Sequence, residues 1–349
     1  MAEKKMTRRD FVRDGAMAAV GIAAGLAARR VSGQEKKESY QTKILNYNEN
    51  MEYRRLGRTG LMVSAVSLGG HWKRLPGNED LVKNRTEVVS KCIDCGINYV
   101  DACAGDEVQA YAKALKGRRD KMYFGYSWYE REMRFADWRK ASKLMEGFDD
   151  GLKECRLDYV DLWRITCHEP GGQHTFNETM EFIEALQKAK QQGKARFTGI
   201  SSHDRRWLAH VIKNFPEIEV ILTPYTAMTR EKPKDSLFAA VRECDVGLFG
   251  IKPFASNSLF RGNSQPGNPA AAEDDDRARL ALRYILSNDA MTSPIPGLIN
   301  NQQVDNVVRA VRERRQLDLA ERAKLDRISD EVRANLPPEY QWLKDHEWV

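Results

Sequence analysis

The chain has 349 residues, 42% hydrophobic and 30% charged, ample for a sizeable core in one α/β domain. Its formal charge is +6, of which residues 1–34 contribute +4, so the basic excess is mostly a terminal feature. No stripe of Lys and Arg interleaved with aromatics is present, which argues against nucleic-acid binding.

The chain opens with Thr7-Arg8-Arg9-Asp10-Phe11-Val12-Arg13, which resembles the twin-arginine export signal. A Gly/Ala-rich apolar stretch from 15 to 28 follows, too short to span a bilayer and suited to a signal core. Residues 1–34 are therefore expected to be a signal peptide read by the twin-arginine machinery, with a periplasmic or otherwise exported product. A frayed amphipathic helix with a chance arginine pair is the alternative. No other segment is apolar enough to span a membrane. Residues 35–50 are polar and read as a linker.

Short apolar runs then alternate with helical patterns. Strands are expected at 63–68, 99–101, 122–125, 159–164, 196–200, 220–223, 247–252 and 293–296. Amphipathic stretches lie between them, such as 179–192 with Met180, Ile183 and Leu186 at helical spacing, and 235–243. Eight β–α units argue for a single-domain (β/α)8 TIM barrel over residues 51–336. A doubly wound sheet is the runner-up, but no strand runs into a G-x-G-x-x-G turn. Long insertions at 127–138 and 257–276 fall after strands, on the face where barrels place their sites. The tail, 337–349, carries Tyr340, Trp342 and Trp348 and is expected to fold across one end.

The six cysteines form no disulfide framework. Cys92 and Cys95 end a helix and are read as helix packing. Asp101 closes the second strand, where a buried carboxylate needs a partner, and Lys252 at the end of the seventh is the leading choice. The pair would either act chemically or merely stabilise the mouth. His71, His168 and His203 each follow a strand. They fit a rebuilt acid/base site with His168 as proton donor, or ordinary loop histidines; their spacing matches no metal motif, so no metal is expected. Trp72, Trp128, Tyr129, Trp163 and Tyr225 would line an aromatic pocket or pack the barrel, and Lys73 and Arg74 would bind an anion or be solvated.

Several motifs occur in a fixed order. They are Glu52-Tyr53-Arg54-Arg55-Leu56-Gly57-Arg58-Thr59-Gly60-Leu61 with Val63-Ser64, then Ser67-Leu68-Gly69-Gly70, Gly96-Ile97-Asn98-Tyr99-Val100-Asp101, Leu157-Asp158-Tyr159-Val160-Asp161-Leu162, Gly199-Ile200-Ser201 and Ile295-Pro296-Gly297. On these, residues from Met51 to about Leu336 resemble the aldo/keto reductases. The resemblance implies hydride transfer between NADP or NAD and a small carbonyl or sugar-like substrate. In that family a Tyr donates the proton, a Lys lowers its pKa, an Asp holds the Lys and a His orients the carbonyl.

Asp101 matches the family Asp. The segment Ala102-Cys103-Ala104-Gly105-Asp106-Glu107 is shorter than the family pattern and holds no Tyr, and Tyr111 is read as core. Ser127 stands at the Lys position and Thr166 at the His position. The ordinary mechanism is then expected to be lost or nearly so, and the catalytic set becomes Asp101, Lys252 and His168. Ser201 keeps a carboxamide contact, Ser202 replaces its Asn partner and Leu222 the sixth-strand Gln. Tyr225 keeps the ring that stacks on nicotinamide. Lys252-Pro253 and Pro296-Gly297 resemble cofactor positions, and Asp305-Asn306 resembles the adenine-binding Glu-Asn one residue early. The alternative is a non-redox barrel: a binding protein, or a lyase or hydrolase using His71, His168 and His203.

Overall fold

A two-stranded antiparallel hairpin, β1 (Tyr53–Arg55) and β2 (Met62–Ser64), stoppers one end of a parallel sheet. Its Leu56, Leu61 and Val63 pack into the sheet interior beside Tyr99, Leu162, Val220, Leu222 and Phe249. Gly57 turns the hairpin at φ 47°, and a Cβ there would strike the backbone of Gly247. This computed structural model describes residues 44–70, 75, 79–167, 174–229, 236–262 and 267–346. The expected signal segment, most of the linker, and His71, Trp72, Lys73, Arg74, His168 and Trp348 lie outside the described residues.

Seven parallel strands follow in chain order: β3 (Tyr99–Ala102), β4 (Tyr123–Tyr126), β5 (Val160–Thr166), β6 (Ala195–Ser201), β7 (Val220–Pro224), β8 (Gly247–Ile251) and β9 (Ser293–Ile295). The eighth stave is residues 67–69. Leu68 bridges to Val100 on one side and Gly69 to Gly297 on the other, which closes the (β/α)8 barrel. The expected single strand over 63–68 is thus two pieces. Its first part pairs within the hairpin, and only its end joins the barrel. Asp101 N–H donates to Leu68 O at 2.8 Å and Gly69 N–H to Pro296 O at 2.9 Å, so the seam lies at the mouth.

Nine helices are described around the sheet: α1 (Leu81–Asp94), α2 (Gly105–Ala114), α3 (Ala141–Cys155), α4 (Phe176–Gln191), α5 (Arg205–Asn214), α6 (Leu237–Cys244), α7 (Ala271–Leu286), α8 (Asn301–Arg312) and α9 (Leu319–Asn335). Helix α4 begins with a capping box, Thr175 and Glu178, which satisfies two backbone donors. Its buried stripe is Thr179, Phe182, Ile183, Leu186 and Ala189. Met180 is one position off that stripe and is exposed, against expectation. Trp163 stacks on Phe148 of α3 at 4.1 Å with planes 3° apart, so it is packing as expected. Truncating it would cost about 3–5 kcal/mol. All six cysteines are free, and burial pushes the Cys92 thiol well up, in keeping with a packing role. No described helix is long and apolar enough to cross a membrane.

Both flanks of the barrel are tied to it. Asn46 and Asn48, read from sequence as linker, donate to Ile93 O at 2.7 Å and Asp94 O at 3.2 Å. The tail forms short 3-10 turns over Pro338–His346, with Leu343 buried and Trp342 laid against His203.

Candidate active site at the barrel mouth

The C-terminal strand ends surround a cavity of about 900 Å3, counted out into open solvent. Gly69, Asp101, Arg164, Thr166, Ser201, Lys252 and Gly297 all reach it, each from the end of a different stave except for Arg164 and Thr166, which share β5. Side chains alternate along a strand, so Leu162, Arg164 and Thr166 point to the same face. Leu162 lies in the interior cluster, and this carries Arg164 and Thr166 inward above it.

Asp101 is paired with Arg164, whose Nη2 donates to Oδ2 at 2.5 Å and whose Nε donates to Oδ1 at 3.1 Å. Both side chains are almost fully buried, at 5% and 2% exposure. The Tyr99 hydroxyl adds a third donor to Asp101 at 3.3 Å. Burial pushes the Asp101 carboxyl up, and the guanidinium opposes it. The expected Asp101–Lys252 pair is therefore corrected. Asp101 and Arg164 sit on β3 and β5, and β4 between them presents Gly125, paired in register with Asp101. A Cβ at Gly125 would strike the Tyr99 hydroxyl and come within 3.0 Å of Asp101 Oδ1, so the missing side chain leaves the path open.

A second buried network stands beside the first. Arg164 Nη1 donates to Thr166 Oγ1 at 2.9 Å, Thr166 Oγ1 is 2.9 Å from Ser127 Oγ, and Ser127 donates to Glu132 Oε2 at 2.5 Å. Ser127 spends its proton on Glu132, so Thr166 is the donor to Ser127. Glu132 also accepts from the N–H groups of Thr166 (2.7 Å) and Trp128 (3.1 Å) and from the Trp163 indole (3.2 Å). Burial raises the Glu132 carboxyl, and these donors work against it. Behind the wall, burial lifts Glu107 to about 8 against the pull of Arg85.

Across the mouth, the segment after β8 is bent into the left-handed region. Lys252, Ala255, Ser256 and Asn257 hold φ of 55°, 48°, 53° and 75°. Non-glycine residues there store strain, on the order of 1–3 kcal/mol each, and such strain collects at ligand sites. The Ser256 hydroxyl lines the cavity, is hidden from water and has no partner among the described residues.

Residues 65–330 match the aldo/keto reductase family. The chain belongs to that family. It is similar to L-galactose dehydrogenase of Arabidopsis thaliana, 26% identical over 75% of this chain and 89% of the relative. It is also similar to L-glyceraldehyde 3-phosphate reductase of Escherichia coli K12, 23% identical over 75% of this chain and 88% of the relative. A solved aldo-keto reductase from Bacillus halodurans in its holo form superposes with TM-score 0.62 at 25% identity, covering 83% of this chain and 99% of that one. A Klebsiella pneumoniae aldo-keto reductase solved with NADPH shares the fold at TM-score 0.61 and 18% identity, over 80% of this chain and 95% of that one.

Within this aldo/keto reductase barrel, Asp101, Lys252, Ser201 and Gly297 meet at the cavity. Pro296 holds the seam through its carbonyl. Ser202, just after the end of β6, is buried, its hydroxyl accepting from Asp204 N–H at 3.0 Å at the start of α5. Tyr225 is set apart from the mouth. Its N–H continues the ladder to Ile251 O, and its ring lies 5.3 Å from Phe238 and 6.5 Å from Tyr284, in the layer between sheet and helices. Asn306 is held by α7, accepting from Arg279 at 2.6 Å and donating to Asp275 O at 3.0 Å. His203 is buried and stacks on Trp342 at 4.2 Å, while His71 and His168 lie outside the described residues. No cluster of three or more His, Cys, Asp or Glu suited to a metal is found among the described residues. Arg164 and Glu132 were missed in the sequence. Arg164 carried a usable signal, a charged residue on the inward phase of an apolar strand. Glu132 carried none, since a loop has no period to read.

Proposed function

We propose that the chain is an aldo/keto reductase-like oxidoreductase that binds NADP(H) or NAD(H) and a small carbonyl or sugar-like substrate at the barrel mouth, without the family's usual Tyr, Lys and His. The buried Asp101–Arg164 pair carries this reading. The developing alkoxide of a reduced carbonyl needs positive potential in a water-poor site. Arg164 supplies it in place of the missing lysine, and Asp101 fixes the guanidinium as it would fix that lysine. Lys252 adds a second cation on the opposite side of the cavity.

The cavity is where the nicotinamide cofactor would bind. The partnerless Ser256 hydroxyl, on a strained loop beside Lys252, offers a donor suited to a phosphate oxygen. Ser201 also lines the wall, where it would hold the carboxamide. The bound cofactor would supply or accept the hydride, while this chain's residues orient the carbonyl and stabilise its oxygen. Saturable quenching of tryptophan fluorescence by NADPH or NADH is the test. Absence of binding by both would sink the reading.

The proposal extends to export. The twin-arginine-like Thr7-Arg8-Arg9-Asp10-Phe11 supports passage of the folded protein to the periplasm or beyond. Cell fractionation of the chain and of its Arg8→Lys, Arg9→Lys form tests this. Equal distribution of the two would reject it.

A further inference from the structure

Reduction of a carbonyl needs a proton at the oxygen as well as a hydride at the carbon. A continuous hydrogen-bonded path leads from the cavity wall to a buried acid. Thr166 lines the cavity, its Oγ1 lies 2.9 Å from Ser127 Oγ, and Ser127 Oγ lies 2.5 Å from Glu132 Oε2. Ser127 and Glu132 are buried, at 0% and 2% exposure. A hydroxyl has one proton and two lone pairs. Thr166 gives its proton to Ser127 and one lone pair to Arg164 Nη1 at 2.9 Å, which leaves one lone pair for a substrate hydroxyl. Glu132 is held in place by the N–H groups of Thr166 and Trp128 and by the Trp163 indole.

We propose that Thr166, Ser127 and Glu132 form a proton relay, in which Thr166 meets the substrate oxygen and the buried Glu132 carboxyl stores the proton. The relay rests on the oxidoreductase reading above. In alcohol oxidation the C–H pair leaves as hydride to the oxidised nicotinamide, and the electron pair freed from the O–H bond becomes the C=O π bond. The substrate proton passes to Thr166 Oγ1, the Thr166 proton to Ser127 Oγ, and the Ser127 proton to Glu132 Oε2. Each hydroxyl ends with one proton, and Glu132 returns its own to water by the same path once the product leaves. Reduction runs the transfers backward from protonated Glu132. Arg164, donating to Thr166, stabilises the negative charge that Thr166 gains in passage. Among the described residues, the charged and titratable groups around Glu132 are Arg164 of β5, Tyr126 of β4 and the adjacent Arg131. Burial raises the carboxyl, which favours taking up a proton, while Ser127, the other donors and Arg164 favour giving it back.

Two measurements on the full chain test the relay. The first follows NADPH consumption with glyceraldehyde. Thr166→Val should lower kcat roughly 100-fold with KM little changed, and Thr166→Ser, which restores a hydroxyl, should recover most of it. In the parent, kcat for reduction should fall as rising pH strips Glu132 of its proton. Ser127→Ala should keep only a low rate that is flat with pH. Full kcat in Thr166→Val overturns the relay alone. So does a pH limb that persists in Ser127→Ala and vanishes instead in Cys103→Ala, Tyr129→Phe or Lys252→Met, whose side chains share the wall. The second measurement needs no substrate. Infrared difference spectra of the parent against Glu132→Gln should show one carboxyl changing form between about pH 5 and about pH 9, with its midpoint moved up in Ser127→Ala. A carboxyl fixed in one form over that range overturns the relay. A parent protein that binds no nicotinamide and reduces nothing overturns the oxidoreductase reading and the relay with it.

Discussion

The guanidinium of Arg164 grips both oxygens of Asp101 across an intervening strand, and both side chains are almost fully buried. A pair so buried is costly to break from one side, about 3–5 kcal/mol, because the surviving charge is stranded. It survives in the fold because β4 gives it room at Gly125.

Gly125→Ala is the sharpest probe of that room. The added methyl meets the Tyr99 hydroxyl and Asp101 Oδ1. Stability should fall by about 1–3 kcal/mol, as overpacking usually costs. Turnover should fall further than stability explains, since the pair itself is displaced. Urea denaturation and steady-state kinetics on the same preparation separate the two effects.

Glu107 predicts a pH dependence of folding. Its carboxyl is raised to about 8 in the fold, from an ordinary 4.5. Between those values the folded chain keeps a proton that the unfolded chain has released. Stability should therefore decline as pH rises from about 4.5 to about 8 and level off above. Glu107→Gln removes this term. Its advantage over the parent should be small at pH 5 and grow to at most a few kcal/mol at pH 9. Chemical denaturation at pH 5, 7 and 9 measures it, and a difference that shrinks with pH would refute the assignment.

Ser256→Ala should change stability and binding in opposite senses. The hydroxyl is buried without a partner among the described residues, so losing it should stabilise the free protein by about 1 kcal/mol. If that hydroxyl meets a cofactor phosphate, the Kd for NADPH should rise several-fold. Thermal melts with and without NADPH report both signs together.

Trp342 should be coupled to His203. Their rings stack at 4.2 Å, and Lys252 Nζ lies 5.8 Å from the same indole. A double-mutant cycle with Trp342→Ala and His203→Ala should give a coupling of about 0.5–1.5 kcal/mol. A value near zero would show the stack to be a contact without energetic weight.

The barrel was legible because each buried strand writes an apolar run into the chain, and β3 to β9 fall within a residue or two of the expected segments. The first stave was harder. Val63 and Leu68 share one apolar run, yet the hairpin takes the first and the barrel the second, a division set by pairing partners far away in sequence. Met180 shows the same limit on a helix, where a one-residue error in phase turns a core position into an exposed one. At the site, Asp101 and Lys252 were found because they end strands, but their pairing was not. Lys252 sits on the far side of the cavity, whereas Arg164 looks across the gap that Gly125 leaves. Tyr225 also ends a strand. Its ring turned to Phe238 because the β7–β8 ladder continues through its N–H and keeps the strand's alternation for one more residue.

The mouth is assembled from residues as distant in sequence as Gly69 and Trp342. A ribosome adding roughly 5–20 residues per second needs tens of seconds to deliver the second after the first. Within that interval the Asp101–Arg164 pair becomes possible first, the seam to Pro296 and Gly297 only near its end, and the indole stacked on His203 comes last. Completion of the pocket is thus a late event in the birth of the molecule, and a fusion partner attached behind Trp342 would bear directly on it.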